Sequence, residues 1–372
     1  MAPTLDDPSR EEAGAGHRRA KPDGGWLSEP RPCFHSYMLD IGIVGAGIRG
    51  RLFAGALRQI PGVRVAAVAD PSPGAAQAFA ADYGAVAHPG HRELLSAHDL
   101  AGLVVATPDF AHRDAAVDAA DAGVGLLIEK PLTTDVAQAY DIREAVRASG
   151  ARAMVAFENR WNPRFVVAKQ QVVNGAVGDV VFQCAHLNDT RYVPREMLSW
   201  AAQTTPAWFL MPHTVDLALW LSGRTPRTVY ATGVRRELVR SGIDTYDGVH
   251  ALVTFDDDTT LALQSHWLLP ESYPSVFDFR YELVGTNAAL HIDGSDEGVR
   301  LAGSSWQWLH HATYESASGR VVGVAAEIAR TFVDLLSDGA VDVPTVEDAV
   351  AVTTVVAAVH ESVATGHPVQ LG

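Results

Sequence analysis

The chain has 372 residues, of which 47% are hydrophobic and 20% are charged, and its formal net charge is −15. Because single hydrophobic cores stop growing near roughly 300 residues, this length predicts two domains. The negative charge disfavours nucleic acid and anionic lipid as partners. No apolar stretch approaches the ~20 residues of a membrane span. The two cysteines have neither metal-site nor disulfide spacing, which is typical of a cytoplasmic protein with no bound metal.

Residues 1–37 differ in composition from the rest of the chain. They are rich in proline and glycine, carry charges of both signs and show no hydrophobic period. This composition predicts a disordered or extended N-terminal tail, or a start that precedes the natural first residue, Met38. Because no apolar region follows the basic residues near His17, a signal peptide is not expected.

Residues 38–158 alternate short apolar runs with longer helix-compatible segments. The predicted strands are 40–45, 63–69, 102–106, 124–128 and 152–157, and the predicted helices are 48–59, 72–82, 91–97, 110–122 and 134–148. Strands separated by helices of this length form right-handed βαβ units around a parallel sheet. The region therefore predicts an N-terminal Rossmann domain, a doubly wound α/β fold with its ligand cleft at the carboxyl ends of the strands.

A glycine-rich turn joins the first predicted strand to the first predicted helix. Gly45 would permit the tight turn, Gly47 would let a pyrophosphate approach the main chain, and Gly50 would allow the helix to pack closely on the strand. The phosphates would then meet the first N–H groups of the helix, near Ile48 and Arg49, at its positive end. The turn predicts a dinucleotide site, and a plain strand–helix turn is the alternative.

Asp70 ends the second predicted strand, about 20 residues after Gly50. An acidic side chain at this distance can bind the hydroxyl groups of an adenosine ribose. Pro71 follows it, and no nearby arginine would neutralise a 2′-phosphate, so NAD is the predicted cofactor and NADP the alternative.

Two further loops follow strands of the same domain. Thr107 and Pro108 follow the strand at 102–106 and are expected beside the nicotinamide or its ribose, unless they form a simple turn. His112 lies just beyond them and is expected to pack or to cap the next helix.

Glu129 and Lys130 follow the strand at 124–128. A lone ammonium is not left in an apolar core, so Lys130 could hold a substrate oxygen in the cleft, whereas a surface Glu–Lys pair is the alternative.

The pattern changes after residue 158, and a second α/β domain is expected over 159–372. Its predicted strands are 179–187, 227–233, 248–255, 259–268, 276–284 and 288–292, and its predicted helices are 163–175, 212–222, 324–337 and 346–365. Short turns between alternating strands predict an open, mainly antiparallel sheet.

One histidine of this second region is a candidate base. Pro212 suits the first turn of a helix, which would place His213 near the positive helix end and keep its imidazole neutral. Asp216 would lie one turn further on the same face. The alternative is a histidine that simply packs in the core.

These elements, in this order, resemble the Gfo/Idh/MocA family of nicotinamide-dependent oxidoreductases. The matching stretches are Gly45–Gly50, Ala69–Pro71, Ala106–His112, Ile128–Leu132, Asn162–Pro163, Gly175–Gly178, His213–Leu221 and Glu361–Val369. The resemblance implies that Lys130 is a catalytic lysine, that His213 relays a proton, and that Thr107, Pro108, His112 and Glu129 border the cofactor. It also implies a homo-dimer or homo-tetramer assembled through the open sheet.

Two positions depart from the family pattern. Members usually carry an aspartate four residues before the histidine and a glycine directly before it, whereas this chain has Phe209 and Pro212. His213 would then act alone, or Asp216, Tyr192 or another side chain would supply the missing group.

By this resemblance the chain oxidises a secondary alcohol of a sugar, sugar acid or cyclic polyol with NAD, and Arg160, Trp161, Tyr192 and Asp216 are candidates to contact that substrate. Two alternatives stay open. One is a lyase or hydrolase that retains NAD and oxidises its substrate transiently. The other is a regulatory protein that binds NAD without turnover.

Overall fold

The computed structural model describes residues 38–372, which contain two main β-sheets. The tail expected at 1–37, together with Cys33, lies outside the described residues. Across the part of the chain that is described, no helix is both long enough and apolar enough to cross a membrane.

The first sheet has six parallel strands in the order β3-β2-β1-β4-β5-β6. Its strands are β1 (Leu39–Val44), β2 (Val63–Ala69), β3 (Val86–His88), β4 (Gly102–Val105), β5 (Gly125–Ile128) and β6 (Ala153–Val155), and its helices are α1 (Ile48–Leu57), α2 (Pro73–Tyr83), α3 (His91–Ala97), α4 (Arg113–Asp121) and α5 (Val136–Ser149). This strand order is that of a doubly wound Rossmann fold. The predicted fold class of this region is therefore confirmed.

Local sequence explains most of these elements. The central strands β1, β4 and β5 are apolar and buried because helices cover both faces of the sheet. Helix α5 begins after Asp135, whose side chain caps the helix by accepting a hydrogen bond from the main-chain N–H of Gln138. The sequence pattern misses β3, because three partly exposed residues are too few to show a strand period.

The second sheet has seven strands in the order β12-β11-β7-β10-β9-β8-β17 and is antiparallel except for the β7–β10 pair. Its strands are β7 (Val180–Asp189), β8 (Pro226–Val234), β9 (Gly248–Phe255), β10 (Thr260–His266), β11 (Phe277–Gly285), β12 (Ala289–Asp293) and β17 (Val369–Gln370). The prediction of an open, mainly antiparallel sheet is confirmed. Four short strands form two small hairpins that the sequence pattern does not predict, namely β13 (Arg300–Ala302), β14 (Trp306–Trp308), β15 (Thr313–Glu315) and β16 (Val321–Gly323).

Five α-helices follow the first sheet along the described chain. They are α6 (Pro163–Val173), α7 (Pro206–Ser222), α8 (Glu237–Arg240), α9 (Val324–Asp338) and α10 (Val346–Thr365). Helices α7 and α10 cover one face of the sheet. Within residues 38–372 the other face is open and exposes about half of each of the side chains of Phe182, Tyr230 and Leu252.

The end of the chain returns to the first sheet. Helix α9 packs against α1, and its residues Ile328 and Phe332 are buried with Ile41 and Ile43 of β1. Helix α10 packs against α5 of the first sheet as well as against α7 and β8. Helix α10 therefore packs against elements of both sheets.

Helix α7 begins six residues earlier than predicted. Its N-cap is Thr205, whose hydroxyl accepts a hydrogen bond from the main-chain N–H of Trp208, and Pro206 occupies the first helical turn. Pro212, which we expect in the first turn, instead lies inside the helix. The expectation was wrong because two prolines compete for the same start signal, and the one preceded by a threonine cap begins the helix.

Candidate active site

The candidate site lies where β1, β4 and β5 end side by side. These strands are neighbours in the first sheet, so the loops that follow them meet at one edge. Those loops carry the glycine-rich turn, Thr107 and Lys130. The carboxyl edge of a parallel sheet is the usual position of a ligand in this fold.

The glycine-rich turn has the shape that an anion requires. Gly45 has a φ of +103°, and a Cβ there would lie 2.4 Å from the main-chain oxygen of Ala106. A Cβ on Gly50 would lie 1.9 Å from the oxygen of Gly45, so both positions need glycine. Beside Gly47 there is open space. Helix α1 has no side-chain cap and no acidic residue in its first turn, which leaves its N–H groups and positive end for a phosphate.

Two predicted cofactor residues flank this turn. Asp70 lies beside it, since one carboxylate oxygen accepts a hydrogen bond from the N–H of Ala46 at 2.9 Å and the other from the N–H of Ser72 at 2.8 Å. Ile48 begins α1 with its side chain 70% exposed at the rim of the turn. The structure thus brings Asp70 to the turn that would carry the phosphates.

The buried ring of His112 connects two loops. Its Nδ1 lies 2.9 Å from the carbonyl oxygen of Pro131 and its Nε2 3.0 Å from that of Thr107. Both nitrogens therefore have partners in the two loops, which gives His112 a positioning role, and its contact with a cofactor stays a prediction. The Thr107 hydroxyl donates to the carbonyl of Ala111, which orders the same loop next to Pro108.

Arg49 and Glu129, both expected as cofactor contacts, form an ion pair with each other. Arg49 pairs with the buried Glu129 and, at 3.1 Å, with Glu158. Glu129 also accepts a hydrogen bond from the main-chain N–H of Lys130 at 3.1 Å. This chain of charges ties the glycine-rich turn to the loop that carries Lys130.

Lys130 points from that loop toward helix α7. Its Nζ donates a hydrogen bond to the main-chain oxygen of Phe209 at 3.0 Å and lies 4.6 Å from the centre of the Phe209 ring. Burial lowers the pKa of Lys130, while the charges of Glu129 and Glu158 oppose that shift. The amine is therefore held at one place and loses its proton more readily than a surface lysine.

His213 projects from the middle of α7, one turn after Phe209. Burial, followed by the positive charge of Lys130, lowers its pKa to about 3, against the opposing effect of Glu158. The imidazole is neutral at pH 7, as expected, but the cause is desolvation and not the helix dipole, since His213 is not in the first turn. Its Nδ1 is buried without a hydrogen-bond partner.

Lys130 and His213, which are far apart in the chain, therefore meet at one site. The oxygen that receives the Lys130 hydrogen bond belongs to the residue one turn before His213. Both residues also have Glu158 as a neighbour: burial raises the pKa of Glu158, and Arg49, His213 and Lys130 lower it by more than that. The site combines an ammonium and a neutral imidazole beside the glycine-rich turn.

Glu158 is a site residue that the sequence does not reveal. It begins the 3-10 turn Glu158–Trp161, which follows β6, and its Oε1 lies 3.9 Å from Nδ1 of His213. It belongs to no motif. Its position directly after a strand of the parallel sheet is the one signal that could have indicated it, because side chains at this edge face the ligand cleft.

Three of the four proposed substrate residues have other partners. Arg160 pairs with the buried Asp216 at 2.6 Å and with Asp348 at 3.2 Å. Trp161 donates its indole N–H to the hydroxyl of Thr331 on α9. These three candidates, Arg160, Asp216 and Trp161, therefore link helices. Burial raises the pKa of Asp216 to about 6, although Arg160 opposes the shift.

Tyr192, the fourth candidate, is exposed for 45% of its surface and stays available to a ligand. Beside Lys130, the ring of Phe209 packs against two tryptophan rings. The ring of Phe209 makes edge contacts with Trp200 at 6.3 Å and with Trp267 at 5.8 Å between centres. Trp267 donates its indole N–H to the buried carboxyl of Asp189 at 3.1 Å.

Asp189 is a second residue that sequence reasoning misses. It ends β7, and burial raises its pKa to about 7, whereas the Trp267 hydrogen bond and the charge of Lys130 lower it. A carboxyl that titrates near neutral pH beside a lysine is typical of functional sites. Among residues 38–372, no group of three or more His, Cys, Asp or Glu side chains is arranged to hold a metal ion.

Two regions of the chain match known protein families. Residues 39–157 match the profile described as an oxidoreductase family with an NAD-binding Rossmann fold, Gfo/Idh/MocA, and residues 165–291 match the C-terminal domain of the same family. Inositol 2-dehydrogenase from Acidothermus cellulolyticus is 29% identical over 308 residues, which are 77% of this chain and 87% of that protein.

Two solved structures share the fold. GenD2 from gentamicin A biosynthesis, in complex with NAD, superposes with a TM-score of 0.80 at 23% identity and covers 92% of this chain and 99% of its own. Scyllo-inositol dehydrogenase from Lactobacillus casei, with bound NAD(H) and scyllo-inositol, superposes with a TM-score of 0.76 at 19% identity over 90% of this chain and 99% of its own. At these identities the similarity establishes the fold.

Proposed function

The chain belongs to the Gfo/Idh/MocA oxidoreductase family, and we propose that it is a dehydrogenase that transfers a hydride between NAD and a secondary alcohol of a sugar, sugar acid or cyclic polyol. One observation carries the proposal: the ammonium of Lys130 and the neutral imidazole of His213 meet beside the glycine-rich turn. A protein that only binds NAD needs neither group at this position.

The residues present fit NAD. Gly45 and Gly50 hold the turn open beside Gly47, and the uncapped start of α1 faces that space. The Asp70 carboxylate next to the turn would accept hydrogen bonds from ribose hydroxyls and would repel a 2′-phosphate, which favours NAD over NADP. When bound, NAD supplies the ring carbon that accepts or donates the hydride.

Lys130 would bind the oxygen of the reacting alcohol. Its ammonium has one hydrogen bond, to the carbonyl of Phe209, and keeps further N–H groups for a substrate. As the alcohol becomes a carbonyl, the oxygen passes through a state with more negative charge, and a fixed ammonium stabilises that charge.

His213 or Lys130 would take the hydroxyl proton. At pH 7 the imidazole of His213 is neutral and has a nitrogen free to accept it. The lowered pKa of Lys130 makes its amine the second candidate for this step. In the reverse direction the same group returns the proton to the oxygen.

The substrate class is inferred from the walls of the site and from the relatives. The partly exposed rings of Phe209 and Trp200 offer apolar faces, and the ammonium of Lys130 offers a polar group beside them. Such a mixture suits a polyhydroxylated ring, which has apolar C–H faces and polar edges. Inositol 2-dehydrogenase among the relatives supports a cyclic polyol.

We further propose that the protein is a homo-dimer or homo-tetramer. The open face of the second sheet exposes Phe182, Tyr230 and Leu252 in one surface. Apolar side chains grouped on an uncovered sheet are typical of an interface between protein chains.

The test is a panel of inositols, sugars and sugar acids assayed with NAD and with NADP by the absorbance of the reduced nicotinamide. A dehydrogenase accumulates reduced cofactor with at least one member of the panel. An enzyme that oxidises its substrate transiently would consume substrate without that accumulation, and tightly retained NAD would accompany it. Cofactor binding with no substrate turnover would support the regulatory alternative and contradict our proposal.

A further inference from the structure

The imidazole of His213 has a buried nitrogen without a partner. Nδ1 forms no hydrogen bond in the described part of the chain, and the His213 side chain is only 10% exposed. A neutral imidazole carries its proton on one of its two nitrogens, and the hydrogen bond made by one nitrogen decides which of them stays free. The base therefore needs an acceptor at Nδ1 if Nε2 is to take the substrate proton.

Glu158 is the carboxylate in position for that role. Its Oε1 lies 3.9 Å from Nδ1, which is longer than a hydrogen bond, and catalytic hydrogen bonds are often this long before ligands bind. Its other oxygen is held by Arg49 at 3.1 Å, an arrangement that leaves Oε1 directed to the imidazole. The Glu158 side chain is 35% exposed and has room to close the remaining distance.

Other nearby acidic groups are already engaged. Asp216, one turn after His213, forms a buried ion pair with Arg160. Glu129 pairs with Arg49 and accepts the N–H of Lys130. At the position one turn before His213 the side chain is Phe209, which has no polar atom.

We propose that Glu158 is the positioning residue for His213: its carboxylate accepts the Nδ1–H of the imidazole, which leaves Nε2 free to take the proton of the substrate hydroxyl. This inference rests on the proposed dehydrogenase function. In the step itself the O–H bond of the substrate breaks and an Nε2–H bond forms. The Glu158 carboxylate keeps its charge and stabilises the resulting imidazolium.

The charges around His213 agree with this role. Lys130, on the loop after β5, and Arg49, on α1, both disfavour a positive imidazole, and Glu158 is the group that opposes them. A second cation next to Lys130 would be costly in a buried site without such a counter-charge. Glu158 also connects the base to the cofactor side through Arg49, which belongs to the first turn of α1.

The first experiment reads the imidazole directly and does not depend on turnover. NAD-saturated protein with isotope-labelled histidine is examined by nitrogen NMR, with His213→Asn used to assign the signal. The wild type is expected to show the Nδ1–H tautomer, and Glu158→Met to lose it. Glu144→Gln, an exposed acid on α5, is the control that should change nothing.

The second experiment measures kinetics and rescue. Glu158→Met is expected to lower kcat/KM about 100-fold and to move the acid limb of the pH profile to lower pH, because the imidazole loses its counter-charge. Adding Phe209→Asp to Glu158→Met places a carboxylate one turn before His213 and should restore most of that loss, together with the tautomer. Should Glu158→Met fold poorly, Glu158→Asp, which withdraws the carboxylate by one methylene, replaces it.

Two results would overturn the inference. One is an unchanged tautomer and pH profile together with weaker NAD binding, which would mean that Glu158 only holds Arg49. The other is a wild-type His213 that carries its proton on Nε2, because Glu158 would then not accept a hydrogen bond from Nδ1. If no substrate is ever oxidised by the wild type, the proposed function fails, whereas the NMR result still decides the role of Glu158.

Discussion

The ammonium of Lys130 donates a hydrogen bond to the main-chain oxygen of Phe209 at 3.0 Å and lies 4.6 Å from the centre of the same residue's ring. Phe209 lies one turn before His213, so this contact joins the loop after β5 to the helix that carries the imidazole. Both interactions favour a charged amine, whereas burial lowers the pKa of Lys130.

Lys130→Met keeps the length of the side chain and removes the ammonium. Because a fixed positive charge would stabilise the forming oxyanion, kcat/KM should fall by about 1000-fold, while NAD binding changes little. Steady-state kinetics and a cofactor titration measure the two effects separately.

A matched control exists on α6. Lys169 likewise donates to a main-chain oxygen of α7, that of Trp220, and lies 5.5 Å from that residue's ring. Lys169→Met should leave kcat/KM near the wild-type value. An equal loss in both variants would mean that the effect comes from packing on α7, and the role assigned to Lys130 would be wrong.

Phe209→Leu removes the aromatic ring but leaves the main-chain oxygen that Lys130 contacts. The ring contributes an attraction of about 0.5–2 kcal/mol to the ammonium. Its loss should lower the pKa of Lys130 further, so the basic limb of the pH–rate profile should move to lower pH. A limb that stays in place would show that the ring does not affect the amine.

Asp70→Ser removes the carboxylate beside the glycine-rich turn. A charged hydrogen bond is worth about 1.5–3 kcal/mol, so the KM for NAD should rise at least about 10-fold and the preference over NADP should shrink. Asp82→Ser on α2, which loses only an exposed pair with Arg51, is the control. Unchanged discrimination between the two cofactors would contradict the assignment of Asp70.

The parts of the site that the sequence predicts are those defined by local geometry. The spacing of Gly45 and Gly50 is set by contacts within one strand–turn–helix unit, so a short stretch of sequence contains the whole requirement. Glu158 was missed because its relation to His213 joins two distant segments and has no spacing rule. The ion pair of Asp216 with Arg160 is hidden from the sequence for the same reason, since the two residues lie on different elements.

Acid stability should depend on His213. Its pKa is lowered to about 3 in the folded protein, whereas an unfolded histidine titrates near about 6.5. Between these values the unfolded chain binds more protons, so this contribution to stability is complete above the unfolded pKa and is lost as the pH falls toward the folded one. His213→Asn removes the contribution.

Melting temperatures at about pH 7.5 and about pH 4.5 check this dependence on His213. The wild type should lose more on acidification than His213→Asn does. The raised pKa values of Asp189 and Asp216, about 7 and about 6, act in the opposite direction but are common to both proteins and cancel in the comparison. Equal losses would mean that His213 is not buried as a neutral group.

Leu252→Arg should dissociate the proposed oligomer. Leu252 projects from β9 on the open face of the second sheet and is 46% exposed, next to Tyr230 of β8. In an interface between two copies an arginine there would have to bury its charge, which is costly, whereas in a monomer it would point into water. Sedimentation should therefore show a smaller species for Leu252→Arg than for the wild type.

Val173→Arg, at an equally apolar but 70% exposed position at the end of α6, is the matched control and should keep the wild-type mass. If both variants sediment like the wild type, the open face is not the surface through which copies of this chain associate.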